Sequence, residues 1–118
     1  MERTKSLKNN RDFRRLYSKG RSVVSPYMAV YCRKNRLPVN RLGVTASVKL
    51  GNAVHRNRAR RRLRELYRTN ESRLAAGYDI ILVARSRSIS GDYRSMEHSF
   101  LHLMDKLGLL CPPEATVS

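Results

Sequence analysis

Apolar residues recur along the chain with two periods, and each change of period marks an element. Asn9 or Asn10 can cap a helix running to about Ser18. In it Phe13, Leu16 and Tyr17 fall at i, i+3 and i+4, and Gly20 can close the C-terminus. Residues 22–34, SVVSPYMAVYCRK, predict a strand with Pro26 at an edge or a bend. In its second half Tyr27, Ala29 and Tyr31 face one way, and Met28, Val30 and Cys32 face the other. NRLPVN is a turn. Over 41–48, Leu42, Val44, Ala46 and Val48 alternate with Gly43, Thr45 and Ser47, as in a half-buried strand. KLGNAV leads into a helix over 55–68, and a short segment, ESRLAA, ends at Gly77. YDIILVAR is almost continuously apolar and predicts a central strand. Ser90 to Asp92 start a last helix, whose stripe is Met96, Phe100, Leu103, Met104 and Leu107. Residues 1–8 are polar and expected to be mobile. The order α–β–β–α–β–α predicts an α+β fold, a small α/β sandwich built on a mixed sheet. One domain is expected over 1–110, with a C-terminal tail over 111–118.

Charge changes the picture more than composition does. At 118 residues and 41% hydrophobic, the chain can bury one modest core. A formal net charge of +16 points to a polyanionic partner, nucleic acid or an anionic membrane. From Phe13 through Arg64 there is no Asp or Glu against fifteen Lys and Arg, while seven of the nine acids fall at Glu65 or later. One side of the folded protein is therefore expected to be strongly positive. No apolar run approaches the ~20 residues that span a bilayer. MERTKSLKNN lacks an apolar signal segment, so a cytoplasmic location is expected. Cys32 and Cys111 fit neither a zinc site nor a disulfide framework, and are expected as a buried thiol and a tail thiol.

The charge is densest in HRNRARRRLRELYR, residues 55–68, where seven of fourteen residues are arginine. At about 100° per residue, Ala59, Leu63, Leu66 and Tyr67 form one apolar seam. Asn57, Arg61, Arg64 and Arg68 gather opposite it. Arg60 lies on one flank, Arg58 and Arg62 lean towards the other, and Arg56 points along the seam at the helix start. Like charges at i, i+4 cost roughly 0.2–0.5 kcal/mol per pair. Only Glu65 offsets them within the run, so a purely structural helix gains nothing from this composition. Regularly spaced phosphates would neutralise it, and guanidinium forks match phosphate bidentately. Phe13 and Tyr17 share a helix face and Tyr31 sits mid-strand. Rings beside basic residues suit unpaired bases, although aromatics at i, i+4 taken alone are more often core.

KLGNAVHRNRARRRLRE, Lys49 to Glu65, resembles the signature of the bacterial ribonuclease P protein subunit: a Lys, a Gly-x-Ala-Val, an Arg-Asn-Arg element and an Arg/Lys-rich helix. The resemblance continues upstream through LKNNRDFRRLYSKGRSV and downstream through GYDIILVARS, covering about Ser6 to Leu107. It implies a subunit without catalytic side chains, assisting an RNA catalyst that uses magnesium to cut the 5′ leader from precursor tRNA. Arg56, Asn57, Arg58, Arg60, Arg61, Arg64 and Arg68 would dock on the catalytic RNA. Phe13, Tyr17 and Tyr31 would line a cleft for the single-stranded leader, with Lys49 meeting a leader phosphate. No protein metal site is expected, the Mg2+ being held by the RNA and substrate. Ser6 stands where many relatives carry Arg, and Arg3 or Lys5 are the candidates to replace it. The resemblance also implies a left-handed β–α–β crossover, where handedness statistics alone favour the right-handed form in about 98% of cases.

Three other readings compete. A small ribosomal-type RNA-binding protein would account for the arginines, but not for the Arg-Asn-Arg spacing with those upstream aromatics. A major-groove DNA binder could read base edges with Asn57, Arg61 and Arg64, yet no second half of a dimer is evident. A metal-dependent nuclease could use His98, His102 and Asp105 at i, i+4 and i+7. That face is also the polar side of an amphipathic helix.

Overall fold

A computed structural model describes residues 3–111, so the tail expected over 111–118 lies, apart from Cys111, outside the described residues. The strands are β1 (Thr4–Ser6), β2 (Arg21–Val24), β3 (Met28–Lys34), β4 (Asn40–Thr45) and β5 (Tyr78–Ala84). The helices are α1 (Asn10–Lys19), α2 (Ala53–Asn70), α3 (Arg87–Ser90) and α4 (Tyr93–Lys106). The five strands form one mixed sheet in the order β1-β4-β5-β3-β2. β5 takes the centre because both its faces are apolar, and it pairs parallel with β4 and antiparallel with β3. The parallel β4–β5 pair makes α2 a crossover connection.

Helices cover both faces of the sheet. On one, α2 and α4 bury Ala59, Leu63, Leu66, Tyr67, Met96, Phe100 and Met104 against Met28, Val30, Ile80 and Leu82. Both predicted stripes are therefore core. On the other face α1 buries Leu16 over Ile81, with Leu7 beside them and Phe13, Tyr31 and Val83 partly covered. The Asn9 side chain caps α1 by accepting from the Arg11 N–H at 2.9 Å. Buried Asn40 ties the layers together: it accepts from the Tyr78 N–H at 2.8 Å and donates to the Ala75 carbonyl at 2.9 Å and the Tyr67 hydroxyl at 3.1 Å.

Four expectations need correction. Residues 1–8 are not all loose: β1 pairs in parallel with β4, and the Leu7 N–H donates to the Leu42 carbonyl at 2.9 Å. The outer edge of β4 offers unpaired backbone groups, and Leu7, 5% exposed, finds an apolar site. The single strand over 22–34 is a hairpin. Ser25 turns the chain, its N–H donating to the Met28 carbonyl at 2.8 Å and its hydroxyl accepting from the Tyr27 N–H at 3.2 Å. Pro26 sits inside that turn, where its missing donor costs nothing. Tyr27 consequently lies before β3 and packs on the α2/α4 core rather than sharing a face with Ala29 and Tyr31. Finally, β4 stops at Thr45, short of the 41–48 expected, because Ser47 caps a 3-10 turn over Val48–Leu50. Val48 is left 77% exposed.

Candidate nucleic-acid interface

α2 is started by Asn52, whose side chain accepts from the His55 N–H at 3.0 Å. Its seam residues Ala59, Leu63, Leu66 and Tyr67 are fully buried, which orients the rest of the helix outward. Asn57, Arg60, Arg61, Arg64, Glu65 and Arg68 surround an open hollow of about 460 Å³. Asn57, Arg61, Arg64 and Arg68 are exposed and Arg60 is half-buried. Arg60 donates to the Asn57 side chain. Arg68 pairs with Glu65, the only acid on this face, and that hydrogen bond holds the Glu65 carboxyl below its ordinary range. Arg61 and Arg64 have no acidic partner among the described residues.

The remaining arginines of α2 are partly engaged by the fold. Arg62 donates to the carbonyls of Ser88 and Gly91 at 3.0 and 2.6 Å, with its guanidinium 5.9 Å from the centre of the Tyr93 ring. Arg58 donates to the Ile89 carbonyl at 2.7 Å, and Arg56 to Gly51 at 2.8 Å. Arg58 and Arg62 thus satisfy carbonyls around the end of α3, beside the Gly91 N–H that caps the Arg87 carbonyl at 2.9 Å. Arg62→Ala is expected to lower stability by about 1–2 kcal/mol through loss of these charge-assisted bonds. Chemical denaturation would read it, and a variant as stable as the parent would show that the clasp carries nothing.

The three aromatics meet on the opposite face of the sheet. Tyr17 and Tyr31 lie edge to face, with centroids 4.9 Å apart and planes at 83°. Phe13 lies over Gly43, where a Cβ would come within 2.5 Å of its ring; only the bare backbone lets the ring settle there. α1 covers this face incompletely. Tyr17 is 45% exposed and Val24 55%, while Ala29, Tyr31, Thr45 and Val83 are half-buried. The result is an apolar floor with rings along one wall. Lys49 is exposed in the 3-10 turn after β4.

Sequence reasoning missed the junction between the two surfaces. Lys5, Ser6, Lys8, Phe13, Gly43 and Arg64 line a hollow of about 240 Å³ beside β1. Arg64 thus belongs to both the helix face and the rim of the aromatic side. The signal available was small: Leu7 is the one large apolar residue between Met1 and Phe13. Anchoring it brings Lys5 and Lys8 to the rim of this hollow.

The sequence profile of the Ribonuclease P family matches residues 1–108, both surfaces included. The chain belongs to this family. It is 39% identical over 110 residues to the ribonuclease P protein component of Alkaliphilus metalliredigens, covering 93% of this chain and 99% of that protein. It is 40% identical over 110 residues to the component from Natranaerobius thermophilus, covering 93% and 96%. Among solved structures, the RNase P protein of Staphylococcus aureus superposes with a TM-score of 0.78 at 34% identity, over 89% of this chain and 96% of that one. The RNase P protein from Thermotoga maritima superposes with a TM-score of 0.78 at 30% identity, over 86% and 96%. The α+β architecture with a five-stranded mixed sheet is thus the family's own.

Ribonuclease P implies magnesium, and the described residues offer it no ligand set: no cluster of three His, Cys, Asp or Glu side chains is close enough to hold a metal ion. His98, His102 and Asp105 are all exposed on α4. Cys32 is buried, which pushes its thiol up from the ordinary range, and Cys111 is half-buried; neither is in a disulfide. Cys111 is not part of a loose tail, since its N–H donates to the Arg73 carbonyl at 2.7 Å.

Proposed function

We propose that the chain is the protein subunit of ribonuclease P, binding both the catalytic RNA and the 5′ leader of precursor tRNA. The observation that carries this reading is the division of the molecule into two surfaces on opposite faces of one sheet. On one, Arg61 and Arg64 stand without acidic partners on α2. On the other, Tyr17 and Tyr31 present rings over a half-open apolar floor. The first surface suits a folded RNA's phosphates, bound through guanidinium forks. The second suits unpaired bases, which stack on rings as a closed duplex does not. Arg56, Asn57, Arg58, Arg60 and Arg68 extend the first surface, Phe13 and Lys49 the second.

In this proposal the catalytic RNA performs the cut and supplies the magnesium sites from its phosphates and those of the substrate. The protein contributes positive charge, orientation of the leader and neutralisation of phosphates that would otherwise need more free cation. No described helix is long and apolar enough to cross a membrane. The work is placed in the cytoplasm, where precursor tRNA is made. The test is reconstitution. The purified chain alone is expected not to cut precursor tRNA; added to a bacterial ribonuclease P RNA, it should lower the magnesium needed for the 5′ cut. Cleavage by stringently purified, RNA-free protein would overturn this reading, as would no shift in the magnesium requirement.

A further inference from the structure

α1 divides its face of the sheet, and the side away from the tyrosine wall is also charged. The helix crosses from β4, where Asp12 pairs with Arg41 at 3.4 Å, to β3, where Tyr17 meets Tyr31. At about 100° per residue, Arg15 and Lys19 follow Asp12 and turn away from Tyr17. Arg15, Arg33, Lys34, Asn35, Arg36 and Arg41 line a hollow of about 240 Å³ there, with Asp79 at its base. An adjoining hollow of about 250 Å³ shares Arg33 and Lys34 and adds Lys19 and Arg21.

Most of this charge is uncompensated. Arg41 is neutralised by a two-pronged bond to Asp79, at 2.7 and 2.6 Å, and Arg21 donates to the Leu107 carbonyl. Arg15, Lys19, Arg33, Lys34 and Arg36 are exposed and have no acidic partner among the described residues. Asn35 makes the edge of the patch rigid. Its side chain accepts from the Leu37 N–H at 2.8 Å and donates to the Val39 carbonyl at 3.1 Å and to Asp79 at 3.0 Å. The turn holds Arg36 at φ 62°, the only positive φ outside glycine among the described residues. Gly or Asn would serve such a turn at less cost. Arg36 stands there with its side chain exposed.

We propose that this surface binds the phosphodiester backbone of the 5′ leader, upstream of the nucleotides that stack in the aromatic cleft. This rests on the function proposed above. Arg33 follows Tyr31 by two residues on the same face of β3, about 7 Å along the strand. A leader stacked on Tyr31 that continues past the C-terminal end of α1, which closes over Cys32 at Gly20, meets Arg33 next, and beyond it Arg36 and Arg15. α2 itself lies on the opposite face of the sheet from this patch.

The test compares the parent with a variant carrying Arg15→Gln, Arg33→Gln and Arg36→Asn, the last chosen because Asn tolerates the left-handed backbone. Each is assembled with ribonuclease P RNA and titrated with precursor tRNAs bearing either a leader of a few nucleotides or a long one, across a range of salt. The variant should bind the long-leader substrate more weakly, with a salt slope flattened by about 0.7 for each phosphate it no longer neutralises. Short-leader binding and assembly with the RNA should be unchanged. Equal long-leader affinity and slope in both proteins would overturn the inference alone. So would weakened assembly with leader preference intact, which would put the patch against the catalytic RNA. A parent that fails to support cleavage would overturn the function, and this inference with it.

Discussion

Replacing Arg60, Arg61 and Arg64 with alanine is expected to weaken binding to the catalytic RNA and to flatten its salt dependence by about 0.7–0.9 for each phosphate left without its guanidinium. Each of these side chains lines the open hollow on α2, and Arg61 and Arg64 face no acid. An unopposed guanidinium releases a full counterion's worth of binding on meeting a phosphate. Arg68 is the internal control. Glu65 already pairs with it, and the Arg68 hydrogen bond keeps that carboxylate ionised below the usual range. Arg68→Ala should therefore change the slope less than Arg61→Ala, although both side chains are exposed on the same face. The fold should survive, because the buried seam of Ala59, Leu63, Leu66 and Tyr67 is untouched. RNA affinities measured across a salt titration decide the matter. A slope identical to the parent's would show α2 to be solvated surface, and equal effects at Arg61 and Arg68 would remove the argument from Glu65.

Local pattern determines what is legible in the sequence. The α2 and α4 stripes, the Asn9 cap and the central place of YDIILVAR each depend on residues within a turn or two of one another. β1 does not: it exists because the edge of β4, thirty-six residues along the chain, accepts Thr4–Ser6 in register with Asn40–Leu42. Nothing in MERTKSLKNN except Leu7 hints at that partner. Strict alternation misplaces Tyr27 because it runs back through a turn that Ser25 closes. A helical projection likewise gives the direction of Arg58 and Arg62 but not what waits there, and the end of α3 supplies three carbonyls to them. The exposed arginines and the ring positions are legible for the opposite reason. Their chemistry is in excess of what local folding needs, and an excess shows without knowledge of neighbours.

Tyr17→Ala should weaken holoenzyme binding to leader-bearing precursor tRNA by about 1–3 kcal/mol, the usual cost of losing one stacked base. That corresponds to roughly 5- to 150-fold. Tyr17 is the informative ring because it is 45% exposed, so its removal opens no cavity. Phe13 is less suitable: it is packed over Gly43, and its truncation would mix a packing defect with a recognition defect. Tyr31 is half-buried against α1 and intermediate in this respect. With planes at 83°, the two tyrosines meet by an edge and not by both faces, which leaves ring surface for a base. Binding to mature tRNA, which has no leader, should hardly change, and neither should assembly with the catalytic RNA, which is assigned to the other side of the sheet. Tyr17→Phe keeps the ring and should retain leader affinity, separating stacking from any hydrogen bond made by the hydroxyl. The measurement is a pair of affinities, with and without leader, for each folded variant. If Tyr17→Ala lowers both equally, or neither, the ring does not read the leader and the cleft loses its assigned ligand.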